Sequence, residues 1–203
     1  MNSGNVKEAI AAYLKSFKEI CPKVTEAELE YLASGLTLSE LKSKDFYIHS
    51  NTIQKQIGFV FSGLIRAFYI DKNGHEITVH FISEGNYATH YSAFIEQTPG
   101  KYFFQCIEPC MIVNLSLQHI QEGYKRFHNL ERYGRLIAEL VLKMQEKRIE
   151  GFLFENAEKR YLNFVRENPD LLNRISLSHL ASYLGIERQS LTRIRKKLAY
   201  KSF

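Results

Sequence analysis

The chain has 203 residues, of which 45% are hydrophobic and 24% charged, with a formal net charge of +5. That length and composition suit a globular protein of one large or two small domains. No apolar run reaches the length of a bilayer span, the first eight residues lack signal-peptide features, and three cysteines (Cys21, Cys106, Cys110) are too few for a disulfide framework. The resulting expectation is a cytoplasmic protein without a membrane partner.

Taken in chain order, residues 5–40 carry helical signals. Val6, Ile10, Tyr13, Leu14 and Phe17 follow helical spacing, and Thr25 with Glu28 forms a capping-box start. Residues 41–117 change character. The stretch 58–71 is rich in β-branched and aromatic residues, Asp71 to Gly74 forms a hairpin turn, and residues 75–84 alternate. Residues 102–108 and 111–115 add two more strands. Short strands with turns between them predict a small antiparallel barrel or sandwich.

From His128 to Phe154 the chain has no proline, which predicts one long helix. Tyr133, Ile137, Leu140 and Met144, spaced 4, 3 and 4, make a narrow apolar stripe. It suits either packing on the chain's own barrel or a dimerisation seam. Gly151 offers a hinge. A further helix from Ala157 to Asn168 starts at Asn156 as cap and stops at Pro169.

The charge is unevenly placed. Residues 1–155 hold 17 Lys+Arg against 18 Asp+Glu, whereas residues 156–203 hold 10 against 4. Localised positive charge is what a phosphate-binding surface needs, because neutralising phosphates releases counterions. In this basic segment Ser176 is a plausible N-cap, Leu180, Ala181 and Leu184 share one face, and Gly185 supplies a sharp turn. Ile186 plugs the corner, and Leu191, Ile194 and Leu198 recur at helical spacing. The pattern is a helix-turn-helix.

An ordinary helical hairpin accounts for the turn but not for the polar face. Arg188, Gln189, Ser190, Thr192, Arg193, Arg195, Lys196 and Lys197 follow the turn, with Glu187 the one acid nearby. We expect Arg188, Gln189, Ser190 and Arg193 to face base edges. Thr192, Lys196 and Lys197, with Ser176 and His179, are expected to meet phosphates.

The order helix, barrel, long helix, helix-turn-helix resembles the Crp/Fnr family of bacterial transcription regulators over nearly the whole chain. Two stretches carry the resemblance. One is the hairpin 61–85, with Gly63, Gly74, Glu76 and Gly85 at the positions of the sensor-barrel core pattern. The other is the C-terminal motif, where Arg188, Gln189 and Arg193 match side chains that read bases.

The resemblance implies an α+β fold: a β-roll sensor domain with flanking helices (1–127), a dimerisation helix (128–155) and a helix-turn-helix domain (156–203). It implies a homodimer on double-stranded DNA, with two recognition helices about one DNA turn apart, controlled by a signal sensed in the barrel. RNA polymerase and a small-molecule effector are further partners it leaves open.

Three departures qualify it. Cyclic-nucleotide binders hold ribose and phosphate with a Glu and an Arg after the glycine that matches Gly85. Here Asn86, not Glu, directly follows Gly85, and between Gly85 and Phe104 there is no Arg and Lys101 is the one Lys. Cyclic AMP is therefore not the expected ligand. A lone Cys21 cannot supply an iron–sulfur cluster, and no other cofactor is identified. Five residues follow Leu198, so a β-hairpin wing is expected to be absent or truncated.

Rival chemistries are weak. His75 and His80 lie one residue too far apart for a zinc-protease motif and would point to opposite faces of a strand. Glu76, Thr78, His80, Ile82 and Glu84 share a strand face that reads as polar surface, with His90 the one further histidine for a cupin-like metal site. Cys106 and Cys110 read as ordinary half-buried cysteines. No catalytic constellation appears, so the expectation is a regulator and not an enzyme. The alternative is a ligand-binding or cupin-like barrel whose C-terminal helices only dimerise.

Overall fold

The computed structural model describes residues 3–201. Helix α1 (Ser3–Ile20) and helix α2 (Glu26–Ser34) lead into strand β1 (Leu36–Leu41) and strand β2 (Phe46–Ile48). Strands β3 (Gln56–Ser62), β4 (Ile65–Ile70), β5 (Glu76–Ile82) and β6 (Tyr87–Ala88) follow. Helix α3 (Tyr91–Glu96) precedes β7 (Phe103–Cys106) and β8 (Cys110–Ser116). The chain then turns helical: α4 (Leu117–Arg126), α5 (His128–Phe154), α6 (Ala157–Glu167), a 3-10 turn (Pro169–Leu171), α7 (Leu177–Leu184) and α8 (Arg188–Lys201). Among the described residues no helix is long and apolar enough to cross a membrane.

The strands form two four-stranded sheets, ordered β1-β8-β3-β6 and β2-β7-β4-β5. In the first, Ile57 pairs with Leu115 and Phe59 with Val113, alternating with Gly58–Asn114 and Val60–Ile112. Because side chains alternate across a strand, these pairs define two faces. Phe59, Val113 and Leu115 join a core with Tyr13 and Phe17 of α1, Leu29 and Leu32 of α2, and Leu130 and Tyr133 of α5. The opposite face meets the second sheet, where Tyr47 Oη donates to Asn114 Oδ1 at 2.8 Å.

The chain divides into two compact units. One comprises the residues up to Ala67 with Phe81–Leu140, and the other Phe68–His80 with Val141 onward. These bounds differ from the sequence-based 127/128 and 155/156. The tip of the β4–β5 hairpin belongs with the C-terminal helices, and the long helix is shared.

The expected α+β class is observed, and several elements match the sequence signals closely. Thr25 Oγ1 accepts from Glu28 N and Glu28 reaches back to Thr25 N at 2.7 Å, closing the capping box. In the hairpin turn, Asp71 Oδ1 accepts from Asn73 N and His75 N at 2.8 and 2.9 Å. Helix α5 has the expected bounds, and Asn156 caps α6 through Lys159 N.

The expected helical region at 5–40 overruns. Residues 36–41 are strand β1, held by six consecutive pairs with β8, so tertiary pairing overrides the local signal. Sequence patterning also misses β2, β6, α3 and α4, which are short or held by contacts far away in the chain. Cys106 and Cys110, expected half-buried, are both buried.

The core is aromatic. Phe17 and Tyr133 stack with ring centroids 3.7 Å apart, and Tyr87 Oη lies 2.6 Å from Tyr133 Oη. Truncating a buried aromatic removes its transfer free energy and leaves a cavity. Phe17→Ala should cost about 3–5 kcal/mol, read as a lowered urea midpoint. An unchanged midpoint would show that α1 contributes little to the core.

Candidate nucleic-acid interface

The C-terminal unit is built around the α7–α8 pair. Ser176 Oγ accepts from His179 N at 3.1 Å, capping α7. At the other end Gly185 adopts φ +67°, Gly185 N donates to Ser182 O, and Ile186 N donates to Ala181 O at 3.0 Å. This is a Schellman stop, which favours glycine. A Cβ on Gly185 would also lie 2.9 Å from Phe152 Cε1.

Two arginines occupy the remaining carbonyls at the end of α7. Arg148 Nη2 donates to Tyr183 O at 3.1 Å, and its guanidinium lies 3.9 Å from the Tyr183 ring centroid. Arg160 donates to Leu184 O through Nε and Nη2 at 3.2 and 3.0 Å, and to Glu155 O through Nη1. Helix C-terminal carbonyls are electronegative and unpaired within the helix, so a cation there satisfies both needs. Leu180, Ala181, Leu184 and Leu191 form the apolar seam of the pair.

With Leu191 turned inward, the polar face of α8 turns outward. Arg188, Gln189, Thr192, Arg193, Lys196 and Lys197 are exposed, as is Ser176, while Ser190 and His179 are half-buried. Arg193 Nη2 donates to Ser190 Oγ at 3.2 Å and Thr192 Oγ1 donates back to Arg188 O at 3.0 Å. Lys197 Nζ is paired with Glu158 Oε2 of α6 at 2.6 Å. A phosphate would have to compete with that carboxylate for Lys197, which sets it apart from Lys196.

The β4–β5 hairpin contributes a second surface of this unit. Thr78 N donates to Ser182 Oγ at 2.9 Å, and Ser182 Oγ donates to Glu76 O at 3.1 Å. One serine hydroxyl on α7 thus satisfies two backbone groups of β5. The strand face expected to be polar surface is therefore partly covered: Thr78 is buried, and His80 lies 2.9 Å from the Gln145 amide of α5. Burial, then the nearby Arg148 charge, lowers the His80 pKa to about 4. Among the described residues no three His, Cys, Asp or Glu side chains come together as a metal site would require.

Along α5 the expected seam separates. Tyr133 is buried in the chain's own core and Ile137 packs against that core, whereas Leu140 and Met144 are 47% and 51% exposed. At 7% exposure Tyr133 offers little surface to a second chain. Exposed Leu142, Ile149, Leu153 and Phe154 were not singled out by the spacing.

The segment matching the cyclic-nucleotide cassette is held by neutral amides. Gln54 Oε1 accepts from Thr89 Oγ1 and His90 N, and its Nε2 donates to Gln56 O at 2.7 Å. Gln97 Nε2 donates to Gln54 O and Phe94 O at 2.9 and 2.6 Å. Sequence reasoning missed these glutamines, together with Ser182, Arg148 and Arg160. Only the arginines had a local signal, as cations in largely amphipathic helices.

No family model matches the sequence, and no curated protein matches it significantly. Solved structures do match. The c-di-GMP responsive global regulator CLP of Xanthomonas campestris aligns with TM-score 0.69 at 14% identity, over 88% of this chain and 93% of that one. FixK2 of Bradyrhizobium japonicum aligns with TM-score 0.72 at 13% identity, over 82% and 86%. A CooA mutant of Carboxydothermus hydrogenoformans aligns with TM-score 0.67 at 17% identity, over 88% and 81%. At these identities the likeness establishes the fold, which is the Crp/Fnr regulator fold that the resemblance implied.

Two outcomes follow for this unit. Gly185→Ala should destabilise it by about 1–3 kcal/mol, from the left-handed backbone and the Phe152 contact, measured by hydrogen exchange of α7 amides. His80 has a folded pKa below its unfolded value of about 6.5, so neutral His80 stabilises the fold above that pH. That stabilisation should fall progressively between pH 6.5 and 4, and His80→Gln should flatten the fall. An equal pH dependence in His80→Gln would assign it to other groups.

Proposed function

We propose that the chain is a homodimeric, sequence-specific DNA-binding transcription regulator of the Crp/Fnr type, acting in the cytoplasm and not as an enzyme. The observation that carries this reading is the outward cationic face of α8, held by an apolar seam and two arginine clamps in a regulator fold. Arg188, Gln189, Ser190 and Arg193 read base edges in the major groove. Arg pairs bidentately with guanine and Gln with adenine, and each good pair contributes about 1–3 kcal/mol of discrimination. Lys196, Thr192, Ser176 and His179 face phosphates. Lys197 joins them only by leaving Glu158.

The dimer forms through the exposed part of α5. Leu140 and Met144 stay in the seam, while Leu142 and Ile149, one heptad apart, lie roughly half a turn round the helix from them and form a second exposed strip. Apolar side chains this exposed on one helix favour a covering partner, and a second copy presents the same stripe. Double-stranded DNA is the principal partner, and RNA polymerase is a further one for an activator.

Cyclic AMP is not the signal. The cassette segment is tied to Gln54, which accepts from His90 N through its side chain and from Gln97 Nε2 through its carbonyl, and it offers the ribose and phosphate neither the acid nor the arginine they need.

Binding-site selection from random duplexes with purified protein tests the reading. The expected site is a palindrome with half-sites one helical turn apart. Arg193→Ala should flatten preference at one position per half-site, whereas Lys196→Ala should weaken all sequences alike and reduce the salt slope by about 1. Intact preference in Arg193→Ala would remove that residue from base readout, and failure to select any site would contradict the proposed function.

A further inference from the structure

A cavity of about 260 Å³ lies in the first unit. It is on the helical side of the first sheet, lined by Ile57 and Leu115 from the face opposite Asn114, and closed by α1, α3, α4 and α5. It is thus distinct from the space between the two sheets, where Tyr47 and Asn114 meet. An apolar cavity of ~150 Å³ holds one benzene ring, so this one has room for a fused two-ring compound.

Its lining is neutral. No Lys, Arg, Asp or Glu contributes to it; tyrosines, His119 and Gln121 supply the polar atoms. Tyr87 and Tyr133 line it with hydroxyls 2.6 Å apart, and burial raises both phenols, Tyr133 to about 12. They stay protonated near neutrality, able to give or accept a hydrogen bond but not to balance a charge. His119 Nε2 donates to Tyr31 O at 2.9 Å.

The mouth has a specific construction. Tyr91 and Ile95 of α3 and Tyr124 of α4 line the cavity yet are at least 40% exposed. The Tyr124 ring lies across Gly134 of α5 so closely that a Cβ there would strike its hydroxyl. The missing side chain at 134 leaves room for Tyr124 to cover the opening.

We propose that this cavity is a binding site for a neutral, flat, mostly apolar ring compound of about two rings bearing a hydroxyl or carbonyl oxygen. The aromatic walls take the ring faces by stacking and edge contacts. The Tyr87–Tyr133 hydroxyl pair takes the oxygen. An anionic ligand is rejected, because no cation in the lining offsets the loss of its hydration. The site rests on the first unit alone and stands or falls independently of DNA binding.

The test uses the full chain near neutral pH, with 2-naphthol as the neutral probe and naphthalene-2-sulfonate as its charged counterpart, by calorimetry and thermal unfolding. The proposal expects saturable 1:1 binding of 2-naphthol with a raised Tm, and binding of the sulfonate weaker by about tenfold or more. Ile95→Trp, at a half-exposed position compatible with folding, should block the mouth and weaken 2-naphthol by about tenfold. Absence of saturable 2-naphthol binding, equal binding of the sulfonate, or an undiminished affinity in Ile95→Trp would each overturn it. Loss of DNA binding with 2-naphthol binding intact would instead count against the regulator reading alone.

Discussion

The end of α7 depends on two guanidinium groups. Tyr183 O and Leu184 O have no partners within their helix, and Arg148 and Arg160 supply them from α5 and α6. A helix of eight residues has little stability of its own. Without these donors its final turn would expose carbonyls beside the Phe152 and Tyr183 rings. With them, α7 stops at Gly185 and α8 leaves at an angle that buries Leu191. Every cation on the far side of α8 is presented outward as a consequence of that packing.

The two units divide the chemistry by polarity. In the first, the Tyr87 and Tyr133 phenols pair with each other, Gln54 accepts from His90 N, Glu28 accepts from Asn129, and no formal charge lines the cavity. In the second, positive charge is concentrated on α8, and two cations of the unit are engaged by its own carboxylates, Lys147 of α5 by Glu167 and Lys197 of α8 by Glu158. Exposed pairs of this kind contribute little to stability. Their effect here is selective: they set the cations engaged at home apart from those open to a polyanion. Chain continuity joins the units through β4, β5 and α5, each of which contains a boundary residue.

Much of this was legible in the sequence wherever a signal is local. The Thr25–Glu28 box, the Asp71–Gly74 turn, the Asn156 and Ser176 caps and the Gly185 stop each depend on a few adjacent residues, and each is found in place. Features set by distant partners were not legible. Strand β1 exists through its pairing with β8, about 75 residues away by register. Tyr133 shares a stripe with Leu140 and Met144 in sequence, but Phe17 and Tyr87 claim it for the core. Ser182 offers no sequence signal for its bonds to the β5 backbone, and the cavity is a product of eight elements meeting.

The account's central claim is that the outward face of α8 is a DNA surface. The most direct measurement is titration of the full chain against a random-sequence duplex from low to moderate salt. A cationic surface that releases counterions should bind tightly at low salt and weaken along a straight line in log K against log salt, with a slope of several units. No binding at the lowest salt, or binding indifferent to salt, would contradict the claim.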